Sequence, residues 1–144
     1  MATELTWQEQ VVTDYFDNDI IPFWEGLKRH EFLLFTCKKC GQHYWPMALC
    51  RNHEDVTFDD MEWRPTSGKG RVFSWAVGHL FNNPAYAVDG PLALILVELD
   101  EGPIFPTRIA GPRPKDLRIG MSVEVEYYEV PKTGLSLPLF RLAQ

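Results

Sequence analysis

Val11, Val12, Tyr15, Phe16, Ile20, Ile21, Phe23, Trp24 and Leu27 recur at spacings close to i, i+4, the period of amphipathic helices. Two short helices are predicted there. Pro22 suits the first turn of the second, which runs towards Lys28 and Arg29, cations at the negative end of its dipole. Gly26 is the one residue that counts against this helix. From about Leu33 to Trp63 the periodicity gives way to cysteines and turn residues, as in a small separate module. Beyond the turn-rich Pro65–Gly70, the segments RVFSWAVGH, LALILVEL, IFPTRI, VEVEYYEV and LSLPLFRL are predicted strands. NNPAYAVDG, Asp100–Pro103 and GPRPKDLRIG separate them. Val123, Val125 and Tyr127 alternate with Glu124, Glu126 and Tyr128, so that strand has one wet face. Pro138 predicts an edge or a bulge for the last strand. Five short strands in this span suit a small barrel of the OB type.

Composition narrows the field. With 144 residues, 45% hydrophobic and 13% aromatic, the chain has material for a packed core and is too short for an α/β-barrel enzyme or a two-lobed kinase. Fourteen Lys and Arg against twenty Asp and Glu give a net charge of −6. Binding nucleic acid through its phosphates would need a local basic face, so that role is not expected. The longest apolar run, Leu92 to Val97, is six residues, against the roughly 20 of a membrane-spanning helix. The opening MATELTWQEQ lacks the basic and apolar stretches of a secretory signal, and a cytoplasmic location is expected.

All three cysteines fall in two turns, Cys37-Lys38-Lys39-Cys40 and Cys50-Arg51-Asn52-His53. A CxxC turn places two thiolates on one side of a tetrahedral ion, and a CxxH turn supplies a thiolate and an imidazole from the other. The predicted site is structural zinc bound by Cys37, Cys40, Cys50 and His53. Gly41 permits the tight turn after the first pair, and Lys38, Lys39 and Arg51 are placed to offset a site charge of about −1. The rival readings are a Cys37–Cys40 disulfide or redox pair, a catalytic metal, His43 as fourth ligand, and a site that has lost its metal.

The expected fold is therefore mainly β with N-terminal helices: a helical segment over 1–32, a zinc ribbon over 33–63 and a five-stranded OB barrel over 64–144. No other catalytic constellation is present. Gly68-Lys69-Gly70 reads as a hairpin turn, there is no GxSxG, and every cysteine is committed to the metal. His79 could serve as a base at a strand end, but a structural or solvent-facing role suits it better. His30 carries no argument of its own. Basic residues cluster as Arg64, Lys69 and Arg71, then as Arg108, Arg113, Lys115 and Arg118, either a phosphate-binding set of loops or a scattered solvated surface. Trp24, Trp45, Trp63, Phe73, Trp75 and Phe81 exceed what a small core requires, so some are expected at an interface or under a flat ligand.

Taken in order, PFWEGL, CKKCG…ALCRNH, GKGRVFSW, LALILVELDEG, DLRIGMSVEVEYYEV and LSLPLFRL resemble the acyl-CoA-associated family of paired rubredoxin-like zinc ribbon and OB-fold proteins, long catalogued as domain of unknown function thirty-five. The resemblance covers roughly residues 14–142, and His53 stands where the family's usual second pair is CxxC. It implies an accessory rather than an autonomous enzyme: a small subunit set against a thiolase-fold enzyme, such as a thiolase, a thiolase-like aldolase or hydroxymethylglutaryl-CoA synthase, or beside a hot-dog-fold hydratase. The partner would carry the reacting groups, in a hetero-oligomer that binds CoA or acyl-CoA. On that reading Lys69, Arg71 and Arg108 are the expected contacts to CoA phosphates. The alternatives are a nucleic-acid-binding OB module and an autonomous acyl-CoA-binding protein.

Overall fold

In a computed structural model, residues 18–79, 92–110, 114–131 and 134–144 are described. The first predicted helix, the NNPAYAVDG segment, Phe81 and Arg113 lie outside them. The second predicted helix is present as α1 (Ile21–Lys28), preceded by a 3-10 turn (Asn18–Ile20), with Pro22 in its first turn and Lys28 in its last. Gly26 is explained by packing. A Cβ there would lie 2.7 Å from Leu33 Cδ1, so glycine lets the helix approach the following strand closely. Its carbonyl also accepts the backbone N–H groups of Arg29 and Glu31, which turns the chain into that strand.

A three-stranded antiparallel sheet, ordered β2-β1-β3, forms from β1 (Leu33–Cys37), β2 (His43–Tyr44) and β3 (Met61–Pro65). Every residue of β1 is buried because its two faces serve different cores. Leu34 belongs to the barrel core, while Phe35 and Cys37 pack with Cys50 and Met61.

The remaining strands are β4 (Lys69–Gly78), β5 (Leu92–Leu99), β6 (Ile104–Ala110), β7 (Ser122–Glu129) and β8 (Ser136–Leu142). They close into a barrel in the order β4-β5-β6-β8-β7, with β6 and β8 parallel. This is the OB arrangement, mainly strands with an N-terminal helix, as the sequence pattern predicted. Each strand starts and ends within two residues of its predicted segment. Val123, Val125 and Tyr127 face the core, as the alternation required.

Pro138 is a partial exception to expectation. It lies in a strand paired on both sides, opposite Tyr127 of β7. On the β6 side the ladder covers only Phe140 and Arg141, so Pro138 falls short of it and removes no bond there. Its carbonyl instead accepts the Thr107 hydroxyl at 2.7 Å.

A one-residue bulge interrupts β4: Val72 pairs with Val97 and Ser74 with Leu96, leaving Phe73 between them, 49% exposed. At Gly70 a Cβ would meet the Glu98 carbonyl at 2.4 Å, so β4 and β5 approach too closely there for any side chain.

The two sheets meet on an aromatic hub. Phe23 of α1 is 1% exposed, and its ring centroid lies 4.4 Å from that of Trp45, 5.9 Å from Trp63 and Phe32, and 6.4 Å from Phe105. Helix, ribbon and barrel each contribute a ring. Most of the aromatic excess noted in the sequence goes here, and Trp24 and Trp75 also pack on this core. Phe58, Phe73 and Tyr128 stay on the surface.

Candidate metal centre

The CxxC turn follows directly from β1, which ends at Cys37. The Cys37 backbone N–H donates to the Gln42 carbonyl at 2.9 Å and Gly41 N–H returns to the Cys37 carbonyl at 2.8 Å. Gly41 holds φ at +76°, the left-handed region that favours glycine. These bonds fold residues 37–42 into a knuckle with both sulfurs on one side. The second turn, Cys50–His53, lies opposite it.

Among the described residues, Cys37, Cys40, Cys50 and His53 form a group whose ligand atoms all lie within 4.8 Å of one another. Cys40 Sγ is 3.6 Å from Cys50 Sγ. Metal–sulfur bonds of about 2.3 Å in a tetrahedron separate sulfurs by roughly 3.7 Å, so the donors suit one ion. All three thiols are free, with no disulfide between them. His53 Nε2 is buried without a hydrogen-bond partner in the protein. Soft thiolates with an orphaned imidazole nitrogen are the chemistry of a zinc-type site, so the residues fit the group that the spacing suggested.

His43, the alternative fourth ligand, stands outside this group. It lies in β2, with Nδ1 2.7 Å from Thr36 Oγ1 across the sheet.

Two residues support the sulfurs that sequence reasoning did not single out. The Tyr44 hydroxyl donates to Cys50 Sγ at 3.4 Å and accepts the Arg51 backbone N–H at 2.9 Å, tying the second knuckle to β2. Asn52 Nδ2 reaches Cys40 Sγ at 3.6 Å. Their one sequence signal is position, beside His53 and four residues after Cys40. Burial, then the bond to Cys50, pushes the Tyr44 phenol up. The Gln42 backbone N–H, followed by Asn52 and His53, draws the Cys40 thiol down to about 6. Burial pushes the Cys37 thiol up, against the backbone N–H groups of Cys40 and Lys39.

Lys38 and Lys39 do not point at the sulfurs. Lys38 Nζ donates to the Asp59 carbonyl at 2.8 Å, and Lys39 Nζ lies 3.8 Å from Asp60 Oδ2, both in the 3-10 turn Phe58–Asp60.

The basic residues divide. Lys69 and Arg71 are exposed on β4, two residues apart and on the same outer face, where Arg71 donates to the Gly120 carbonyl at 3.1 Å. Arg108 lies on β6. Arg71 and Ile104 both sit opposite Glu98 of β5, and Arg108 is four residues beyond, so about 13 Å separates the two levels along the strands. Arg64 is paired with Glu62, and Arg118 folds onto the carbonyls of Lys115 and Leu117. His79 is exposed just past the end of β4.

Beyond the level of Arg71 and Glu98 the outer face of β4 and β5 carries an apolar patch, with Arg108 of β6 opposite Leu94 on that face. Ser74, Ala76, Leu94, Leu96 and Pro106 line an open cavity of about 510 Å³ there, and Leu94 is 48% exposed. Phe73 emerges from the bulge beside it. No helix among the described residues is long and apolar enough to cross a membrane.

Known proteins share this architecture. A family model for the ChsH2 C-terminal OB-fold domain matches residues 63–127. A DUF35 domain-containing scaffold protein of Methanocaldococcus jannaschii is 28% identical over 121 residues, 82% of this chain and 83% of the relative. A probable enoyl-CoA hydratase alpha subunit of Thermomonospora curvata is 32% identical over 84% of this chain, which spans only 37% of that subunit's length. Among solved structures, a chain of the Ltp2-ChsH2(DUF35) aldolase superposes with a TM-score of 0.77 at 30% identity, covering 90% of this chain and 98% of that one.

Proposed function

The chain belongs to the DUF35 family, and from that premise we propose that it is an accessory scaffold subunit of a thiolase-superfamily enzyme acting on acyl-CoA. The observation that carries the proposal is the apolar patch on the outer face of the barrel, where Phe73 and Leu94 stand about half exposed beside the cavity. A surface of this kind suits a protein partner. Its relatives agree in kind: one is a scaffold protein, one a hydratase subunit, and one a chain of an aldolase assembly. The chain has three cysteines and all of them lie in the four-ligand group, which leaves no thiol for acyl transfer. The reacting groups belong to the partner.

In this reading Cys37, Cys40, Cys50 and His53 hold a structural zinc. The ion draws the two knuckles together and supplies the partner that the buried His53 nitrogen lacks. Native mass spectrometry of the protein purified from its host, with metals retained, tests both parts. The expected species is a complex of this chain with a larger thiolase-type chain and one zinc per small subunit. A lone 16.6 kDa species would overturn the scaffold reading in favour of an autonomous binding protein. Within the complex, Leu94→Glu is expected to weaken association by about tenfold or more, measured by titration calorimetry with the purified partner.

The acyl-CoA is proposed to meet the barrel through Lys69 and Arg71 as one pair and Arg108 as a separate contact. Charge reversal at all three is expected to lower the complex's affinity for CoA by about tenfold. Unchanged CoA binding, read by calorimetry, removes these residues from the site.

A further inference from the structure

Burial treats the four-ligand group unequally. Cys37 is fully buried and Cys50 is 4% exposed, whereas Cys40 lies open to solvent at the tip of its knuckle. A Cβ placed on the neighbouring Gly41 would touch nothing within 4 Å, and the Asn52 amide reaches the Cys40 sulfur at 3.6 Å. Cys40 Sγ lies 3.6 Å from Cys50 Sγ. A disulfide bond of about 2.05 Å requires an approach of only about 1.6 Å more.

We propose that the ribbon is a peroxide-sensitive switch, in which oxidation at Cys40 forms a Cys40–Cys50 disulfide and releases the metal. The proposal rests on the metal reading above. In the first step the Cys40 sulfur attacks one peroxide oxygen; an S–O bond forms, the O–O bond breaks, and the departing oxygen takes a proton from solvent to leave as water or an alcohol. Cys40 is then a sulfenic acid. In the second step the Cys50 sulfur attacks the Cys40 sulfur; the S–S bond forms, the S–O bond breaks, and hydroxide leaves. Two sulfurs lose two electrons in all, and the peroxide gains them. Two of the four donors are then tied up in the disulfide, and Cys37 with His53 makes too small a set to retain the ion.

Burial fixes the order of events. Cys37 and Cys50 are shielded within a cluster that includes Phe35 and Met61, so an oxidant in water reaches Cys40 first. Cys50 acts as the resolving thiol. Tyr44 holds its sulfur in place through the hydroxyl contact at 3.4 Å.

The test uses the full chain. Metal content is measured on untreated protein by elemental mass spectrometry. Hydrogen peroxide is then titrated in while a chromogenic chelator reports released zinc, and peptide mapping locates disulfides. The expected result is one equivalent of zinc released together with a Cys40–Cys50 bridge, and rebinding after thiol reduction with added zinc. Differential alkylation should show Cys40 oxidised about tenfold faster than Cys37. Zinc retained with Cys40 unmodified overturns the switch, and so does a bridge between Cys37 and Cys40. Protein with no metal before treatment fails the metal reading instead, and the bridging step is then judged by the disulfide map alone.

Discussion

Replacing Cys50 with serine is expected to abolish metal binding and to unfold the ribbon sheet while the barrel strands stay protected. Cys50 sits in the small cluster formed by Phe35, Cys37 and Met61, with Tyr44, Met47, Val56 and Trp63 around it. Four buried residues make a minor core, and most of the ribbon's stability must come from elsewhere. In the proposed function much of it comes from the ion, beside the packing of Leu34, Trp45 and Trp63 on the barrel core, since structural zinc contributes on the order of 10 kcal/mol to small ribbons of this kind. Serine offers a poorer donor and leaves a polar group where a sulfur was 4% exposed. Hydrogen exchange read by mass spectrometry is the measurement: amides of β1, β2 and β3 should lose protection, and those of β5 and β6 should keep it. Retention of metal by Cys50→Ser would remove Cys50 from the ligand set.

Phe23→Ala should cost about 3–5 kcal/mol, the range for deleting a buried aromatic side chain. Its ring lies among Trp24, Phe32, Trp45, Trp63 and Phe105, so the cavity would open where helix, ribbon and barrel converge. Urea denaturation followed by tryptophan fluorescence would show the loss as a lower midpoint. A broadened or two-step transition is also expected, because the hub joins the two sheets. Phe23→Leu keeps most of the volume and should cost far less. Equal effects of the two substitutions would mean that the hub is not what unites the two sheets.

The barrel was legible because its signals are local. LALILVEL is an apolar run of strand length between turn residues, and VEVEYYEV alternates with period two. The two knuckles were legible for the same reason, since ligand spacing is a property of short segments. The ribbon strands were not read individually. LLFTC has no alternation because both of its faces are buried, and a short apolar run with no period does not declare its secondary structure. Gly26 counted against a helix because its reason lies outside the helix, in the Leu33 side chain.

Convergence across the sequence was also out of reach. Nothing in the spacing of Phe23, Trp45, Trp63 and Phe105 says that they meet, and nothing near Arg108 says that it stands four residues along the strands from the level of Arg71. Lys38 and Lys39 illustrate the limit at short range. Charge arithmetic placed them beside the sulfurs, but long side chains take the best partner within reach, here the Phe58–Asp60 turn.

The bulge in β4 separates two demands that a regular strand would join. Before it, Val72 keeps register with Val97, and after it Ser74 keeps register with Leu96, so the ladder on either side is indifferent to what residue 73 is. Phe73 is carried on the barrel without being woven into it. A lineage of such barrels is thereby free to exchange the side chain at this position, and with it the surface shown to other proteins, while the strands beneath remain under unchanged selection.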